Sequence, residues 1–367
     1  MKNTLFTNYC GGLAIGLSLL AATARGDEGG ALYTMDNAAG ANHVLAFHRG
    51  VDGFVTSMGS FATGGAGTGA GLSSQGSILL SKDSRWVFAC NAGSSEISVL
   101  AVTAQGLTLS DKVDSGGKGP VSLTLRQNLL YAVNAGGGAG DKDSITGFIF
   151  ANGKLLALPE STRALSADNT GPGQVSFTSD GEALVVTERT TSLIDAFQLG
   201  ADGLASSHKA FQSAGTTPFG FDVGHDNRLF VSEAGTGSAS SYQVSEDGEL
   251  AVISAAVSTK QAAPCWLIVS RDGRYAYTAN AGSGSISGYS INSNGSLVLL
   301  NADGRTGVTG DHSHPVDLAQ SHDGRFLYNL ANGNGTLNAF QVNPDGSLQP
   351  LVAVGGIPAS AAGLAGH

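Results

Sequence analysis

Charge is what this sequence has least of. Asp, Glu, Lys and Arg together make up 13% of 367 residues, the 19 basic residues form no run, and the formal net charge is −10. Polyanion binding needs grouped lysines and arginines that displace counterions, so nucleic acid is excluded as an expected partner. Proline is scarce as well, 9 residues against 54 glycines. That ratio suits many short strands joined by tight turns and argues against long helices. Past the first two dozen residues no stretch approaches the roughly 20 apolar residues of a membrane helix, so the mature chain is expected to have no membrane span. Cysteine is limited to Cys10, Cys90 and Cys265.

The chain start reads as an export signal. Lys2 supplies the basic end, Leu13 to Leu20 the apolar run, and Ala22-Thr23-Ala24 the small-residue cleavage site. Cleavage after Ala24 is expected to remove residues 1–24 and leave 25–367 as a single periplasmic or secreted domain. Cys10 precedes most of the apolar run, the wrong order for a lipid-bearing cysteine. Only Cys90 and Cys265 would remain.

What the sequence has in quantity is a repeat. Its clearest copy, residues 263–300, breaks into four β-rich runs: Pro264 to Val269, Arg274 to Ala279, Ser285 to Ile291 and Ser296 to Leu300. Asp272-Gly273 and Asn294-Gly295 between them are hairpin signals, because both turn positions must accept left-handed backbone. Each unit is therefore an antiparallel four-stranded meander. The middle of the second run recurs as Tyr33, Phe88, Tyr131, Val185, Phe230, Tyr277 and Tyr328, spaced 43 to 55 residues apart. Irregular spacing of that size fits a propeller with insertions in its loops. Six of the seven second runs follow a first run, led by Gln75, Pro120, Pro172, Pro218, Pro264 and Pro315. The seventh, at Tyr33, has none before it. The stretch Ile357 to Leu364 begins with the same Pro-led pattern at Pro358 and is expected to complete it. The fold class is all-β: a seven-bladed β-propeller of four-stranded antiparallel blades, its ring closed by the C-terminal segment in blade one. Cys90 and Cys265 fall on blades two and six, which are not neighbours, so both are expected to be free buried thiols.

These repeats, with turns such as SRDGRYAYTANAG (residues 270–282) and SHDGRFLYNLANG (residues 321–333), resemble the seven-bladed lactonase family. That family includes 6-phosphogluconolactonases and fungal carboxymuconate lactonizing enzymes. The resemblance spans the mature chain and implies lactone chemistry at one end of the ring, where the family carries His and Arg just after the Gly-Pro of certain first strands and a Glu ending a second strand. Here the position after each lead residue reads Gly76, Val121, Gly173, Phe219, Cys265, Val316 and Ala359. The next reads Ser77, Ser122, Gln174, Gly220, Trp266, Asp317 and Ser360. Neither set contains His or Arg. Gly171-Pro172-Gly173-Gln174 stands where the family motif would be, and Glu188, ending the matching second run, resembles the family's acidic position.

First-run starts and second-run ends share one face, the mouth, where loops of several blades converge. Second runs end at Asp36, Asn91, Asn134, Glu188, Glu233, Asn280 and Ala331. Asn is an ordinary turn former; Glu is not, so Glu188 and Glu233 are candidate general bases, with Arg189 or Lys118 stabilising an oxyanion. The bland alternative is a salt bridge between those same residues. Gln174, Phe219, Trp266, Asp317 and Asp36 are candidate ligand contacts, although aromatics in first strands also pack between blades. Asp311, His312 and His314, in the loop before blade seven, are candidate ligands for a divalent cation; no cofactor is expected to be required. Gly-rich stretches at 64–71 and 135–140 lack the Gly-Lys-Ser/Thr ending and the helix of a phosphate loop. Two functions follow: hydrolysis of an unphosphorylated sugar-acid or aromatic-acid lactone, or non-catalytic binding of a carbohydrate, other ligand or protein partner outside the cytoplasm.

Overall fold

Alternating small, β-branched and aromatic residues, interrupted every few positions by Gly or Asp-Gly, leave the chain little choice but short antiparallel strands. The computed structural model describes residues 29–138 and 140–367 and contains seven such sheets, with one 3-10 turn at His225–Asn227 as the helical element among the described residues. The proposed signal, residues 1–24, with Cys10, lies outside the described residues, as does Ala139 of the second Gly-rich stretch.

Each sheet is a blade. In blade four the order from the axis outward is Pro172–Phe177, Ala183–Glu188, Leu193–Gln198 and Lys209–Gln212. Blades three, six and seven follow the same order but split the outermost strand in two, as in Lys154–Ala157 and Arg163–Ala164, both paired to Ser144–Ala151. First strands of neighbouring blades contact one another around the axis, and the ring is continuous. The residues counted in the sequence, Tyr33 through Tyr328, occupy the centres of the seven second strands and are all buried. Each such side chain contributes about 1.5–3 kcal/mol of burial free energy.

Two devices hold blade to blade. The hydroxyls of Tyr131, Tyr277 and Tyr328 donate to the carbonyls of Gly203 (2.8 Å), Gly346 (2.9 Å) and Gly53 (3.0 Å), each in the outer hairpin of the following blade. Glycine is required there. Gly346 has φ +82°, and a Cβ on it would sit 2.5 Å from the Tyr275 ring. Nearer the axis, a side chain two residues past the lead accepts the backbone N–H of the next blade's first strand: Ser122 from Val175 (3.1 Å), Gln174 from Phe221 (2.7 Å), Asp317 from Leu364 (3.0 Å).

The last of these stitches closes the ring. Ala362–Gly366 pairs antiparallel with Gly30–Met35, matching Leu32 with Gly366 and Met35 with Ala362. The C-terminal segment thus supplies blade one's innermost strand, but three residues later than its proline suggested. Leu364 occupies the place of Val175 and Phe221, so the lead is Ala361, and Ala362 and Gly363 take the ring positions assigned to Ala359 and Ser360. Pro358 lies outside the strand, and Ser360 donates to the Asp36 carbonyl at 2.6 Å. Proline commonly leads these strands because it need donate no ladder hydrogen bond there, but pairing sets the register.

Candidate functional site

Glu188 and Glu233 end their second strands at the mouth as expected, yet both are wholly buried. Glu188 accepts the Ser166 amide at 2.9 Å on Oε1, and the hydroxyls of Ser166 and Thr191 on Oε2. Glu233 accepts Ser213 Oγ (3.0 Å), the Gly215 amide (2.7 Å), Tyr242 OH (3.3 Å) and Ser238 Oγ (2.9 Å). Glu188 therefore fastens the loop entering blade four to the turn after its own strand, and Glu233 fastens the loop entering blade five to that blade's third strand. Their lone pairs are largely committed, which leaves them poorly placed to take a proton from water at the mouth. Among the described residues neither forms an ion pair with Arg189 or Lys118.

Arg189 is different. It is half-buried, its Nε donates to the Gly171 carbonyl at 2.9 Å, and its guanidinium carbon lies 5.2 Å from the centre of the Phe219 ring. Burial lowers its pKa, and nearby Cys265 and Asp143 oppose that shift. Arg remains a cation under such conditions, and among the described residues its terminal nitrogens have no hydrogen-bond partner. Lys118 is exposed, beside Gly137. Cys90 and Cys265 are free and buried; burial pushes the Cys265 thiol up to about 12, too high for a thiolate nucleophile at neutral pH.

The axis is plugged at this end. Gln75 stands where most first strands have proline, and its side chain crosses from blade two to blade six. Its Nε2 donates to Leu267 O (2.8 Å) and its Oε1 accepts Leu267 N (3.0 Å). The reason lies in Gly220: it has no side chain to stitch Leu267, and a Cβ there would sit 2.1 Å from Gln75 Oε1. Trp266 follows the same route, donating Nε1 to Ser74 O at 2.9 Å, with Phe219 4.8 Å from it between ring centres. Phe219 and Trp266 are each only 5% exposed, so they pack beneath the mouth. The mouth is thus filled by side chains reaching across it. Beyond the plug the channel encloses about 300 Å³, lined by inner strands of all seven blades, including Gln174, Asp222, Arg271 and Asp317. Burial pushes Asp317 up to about 7, against the backbone amides it accepts, and raises Asp222 as well.

Asp36 accepts the amides of Ala38 (3.1 Å) and His43 (2.9 Å) and pairs with His43 Nδ1 at 3.0 Å, a turn-forming role. In the loop before blade seven Asp311 and His312 are exposed, and His312 and His314 have positive φ. Among the described residues no three His, Cys, Asp or Glu side chains are grouped to hold a metal, so Asp311, His312 and His314 do not converge as a cation site. His314 does have an ordered partner. Asn332 donates Nδ2 to the Ala361 carbonyl (3.3 Å), which turns its Oδ1 toward His314 Nδ1 at 3.0 Å. That contact puts the ring proton on Nδ1 and leaves Nε2 as the acceptor. The 64–71 stretch is fixed to blade one by Asn37 Nδ2 to Thr68 Oγ1 (2.9 Å) and Gly67 N to Ala38 O (2.8 Å), and to blade two by Gly93 N to Ala66 O (3.0 Å).

Sequence reasoning missed Gln75, Asn332 and Asp195, a buried acid facing Glu188 in blade four. A glutamine in a lead position usually held by proline was the available signal for the first. The other two become visible only when strands are in register.

Residues 226–354 match the family model described as "Lactonase, 7-bladed beta-propeller". No curated protein matches the chain in sequence. Among solved structures, a candidate 6-phosphogluconolactonase from Bacteroides uniformis aligns with TM-score 0.75 and 19% identity, covering 91% of this chain and 99% of that one. Its counterpart from Bacteroides fragilis aligns at 0.71 and 18%, covering 94% and 99%. The periplasmic gluconolactonase of Pseudomonas aeruginosa aligns at 0.69 and 16%, covering 91% and 98%. At such identities the alignments establish the fold and leave the chemistry to the site. In sequence through blades five to seven, and in fold along nearly its whole length, this chain is similar to the seven-bladed lactonase propellers.

Proposed function

We propose that this protein is a lactonase-type hydrolase working outside the cytoplasm on an unphosphorylated sugar-acid or aromatic-acid lactone bound at the mouth. The observation that carries the reading is Arg189: a half-buried cation held over Phe219, with N–H groups left for a ligand oxygen. The lactone carbonyl would accept from it, and its charge would stabilise the oxyanion formed as water adds. The base we assign is His314, three blades round the same mouth from Arg189, whose Nδ1 is tied to Asn332 and whose Nε2 would take the proton of that water once substrate bridges the two. The ring C–O bond then breaks, its oxygen takes up the proton, and a hydroxy acid is released. The matched lactonase family and the gluconolactonase likeness support the reaction class. A net charge of −10 with no basic cluster favours a substrate without a phosphate.

A second reading, a propeller that binds a carbohydrate or protein partner without turnover, is favoured by the internal commitment of Glu188 and Glu233. The test is proton release from a panel of unphosphorylated lactones, with and without chelator. Wild type is expected to be active, Arg189→Ala to lose about 100-fold in kcat/KM, and His314→Gln to lose activity while staying folded. Glu188→Gln and Glu233→Gln are expected to retain catalysis in whatever fraction folds. A folded wild type inert on the whole panel would favour the binding reading, and loss with chelator would bring in a cation.

A further inference from the structure

The seven blades are copies, so one position can be compared around the ring. The residue ending each second strand, or in blade one the residue just past its end, faces a residue on the third strand diagonally across the sheet. From blade one to seven these pairs are Asp36 with Leu45, Asn91 with Ser98, Asn134 with Thr146, Glu188 with Asp195, Glu233 with Ser240, Asn280 with Ser287, and Ala331 with Asn338. In blades two and six the asparagine amide donates to the serine hydroxyl, at 2.7 and 2.9 Å. Only blade four places two carboxyl groups together. Both are wholly shielded from solvent, and no donor comes into hydrogen-bonding geometry with either Asp195 oxygen.

Two buried carboxylates side by side cannot both keep their charge without a cation. The charged group acting on Asp195 is Glu188 itself. Lys209, on the adjoining outer strand, is exposed and held by Glu249 at 2.8 Å. Arg189 is turned to Gly171 and Phe219, Asp168 is exposed, and Asp143 binds Thr170 and Gly171 at the far end of the loop. The donors in reach, Ser166 N–H, Ser166 O–H and Thr191 O–H, are hydrogen-bonded to Glu188, and the Ser166 amide also lies near enough to Asp195 to oppose part of its shift. We infer that Glu188 and Asp195 share a single proton, seated on the Asp195 side, and that losing it with rising pH frees the Ser166 end of the 165–171 loop. Burial, reinforced by Glu188, pushes Asp195 up to about 8, which puts the change in the mildly alkaline range. The loop ends at Gly171, whose carbonyl holds Arg189, so its release would loosen the mouth.

The test follows thermal midpoint and hydrogen exchange of residues 165–171 from pH 6 to 9.5. Wild type is expected to lose midpoint and loop protection through about pH 8. Asp195→Asn and Glu188→Gln, which each supply an amide donor in place of the shared proton, should keep loop protection across the range and show only the smaller fall in midpoint that Asp317 and Asp222 contribute. Parallel pH profiles in wild type and both variants would overturn the inference. Should the variants fail to fold, carbon-13 titration of wild-type carboxyls decides: one titrating above pH 6 and coupled to the loop supports it, none above pH 6 refutes it. A midpoint at pH 9 rescued by calcium or magnesium in wild type alone would mean that the pair holds a metal ion, and would overturn the shared proton.

Discussion

At the scale of single residues, the mouth is shaped by side chains that compensate for a neighbour. Gln75 crosses the axis because Gly220 offers Leu267 nothing, and in doing so shuts the channel. Gln75→Ala would leave the N–H and C=O of Leu267 without these partners in a buried setting, at a cost of about 2 kcal/mol. Urea unfolding of the variant measures this; a change under about 0.5 kcal/mol would mean that water replaces the amide without loss. The glutamates teach the converse. Glu188 and Glu233 were legible as exceptions to a ring of asparagines, but whether an exceptional side chain faces substrate or its own blade depends on which donors fold around it. Ser166 and Gly215 come from loops whose path no local pattern encodes.

Elements add a second level of constraint. The central aromatic of the second strand was visible as a repeat; its hydroxyl's role was not. Tyr131, Tyr277 and Tyr328 reach the glycine carbonyl of the following blade's hairpin, so the residue that marks the repeat also joins its copies. The bond from Tyr328 to Gly53 spans the seam between blades seven and one. Tyr328→Phe keeps the buried ring and removes the hydroxyl, and should cost about 1 kcal/mol in chemical denaturation. Tyr275→Phe, whose exposed hydroxyl donates to Pro344 O at 2.9 Å, should cost less. Equal losses would show that position at the seam has no special weight.

For the whole molecule, buried acids set how stability varies with pH. Asp195 and Asp317 are pushed up to about 8 and about 7, mainly by burial, and Asp222 is raised too, from an ordinary carboxyl value of 3.8 in each case. Between those limits the folded chain holds protons that the unfolded chain has released. Stability from these groups is therefore full below about pH 4 and is lost as pH rises through 7 to 8. Surface turns oppose this at the acid end. Hydrogen bonds from Ser81 and Arg85 lower Asp83, and those from Ser270 and Arg274 lower Asp272 although burial works against them; their smaller contribution is present above pH 4 and lost below it. The thermal midpoint should accordingly be higher at pH 5 than at pH 8. Scanning calorimetry across that range checks it, and a midpoint that rises toward pH 8 would contradict the assignment of protons to the buried acids.

By itself the sequence determined the number of blades, their four-stranded plan and the closure of the ring by the C-terminal segment. These follow from local rules, turn glycines and alternating burial, repeated often enough that one irregular copy does not obscure them. Tertiary structure alone decided the register of the closing strand, the plug across the mouth, the internal partners of Glu188 and Glu233, and the meeting of Glu188 with Asp195. Each of these depends on a hydrogen-bond partner distant in sequence or on another strand, and a one-residue shift in pairing would turn those side chains to the opposite face of the sheet.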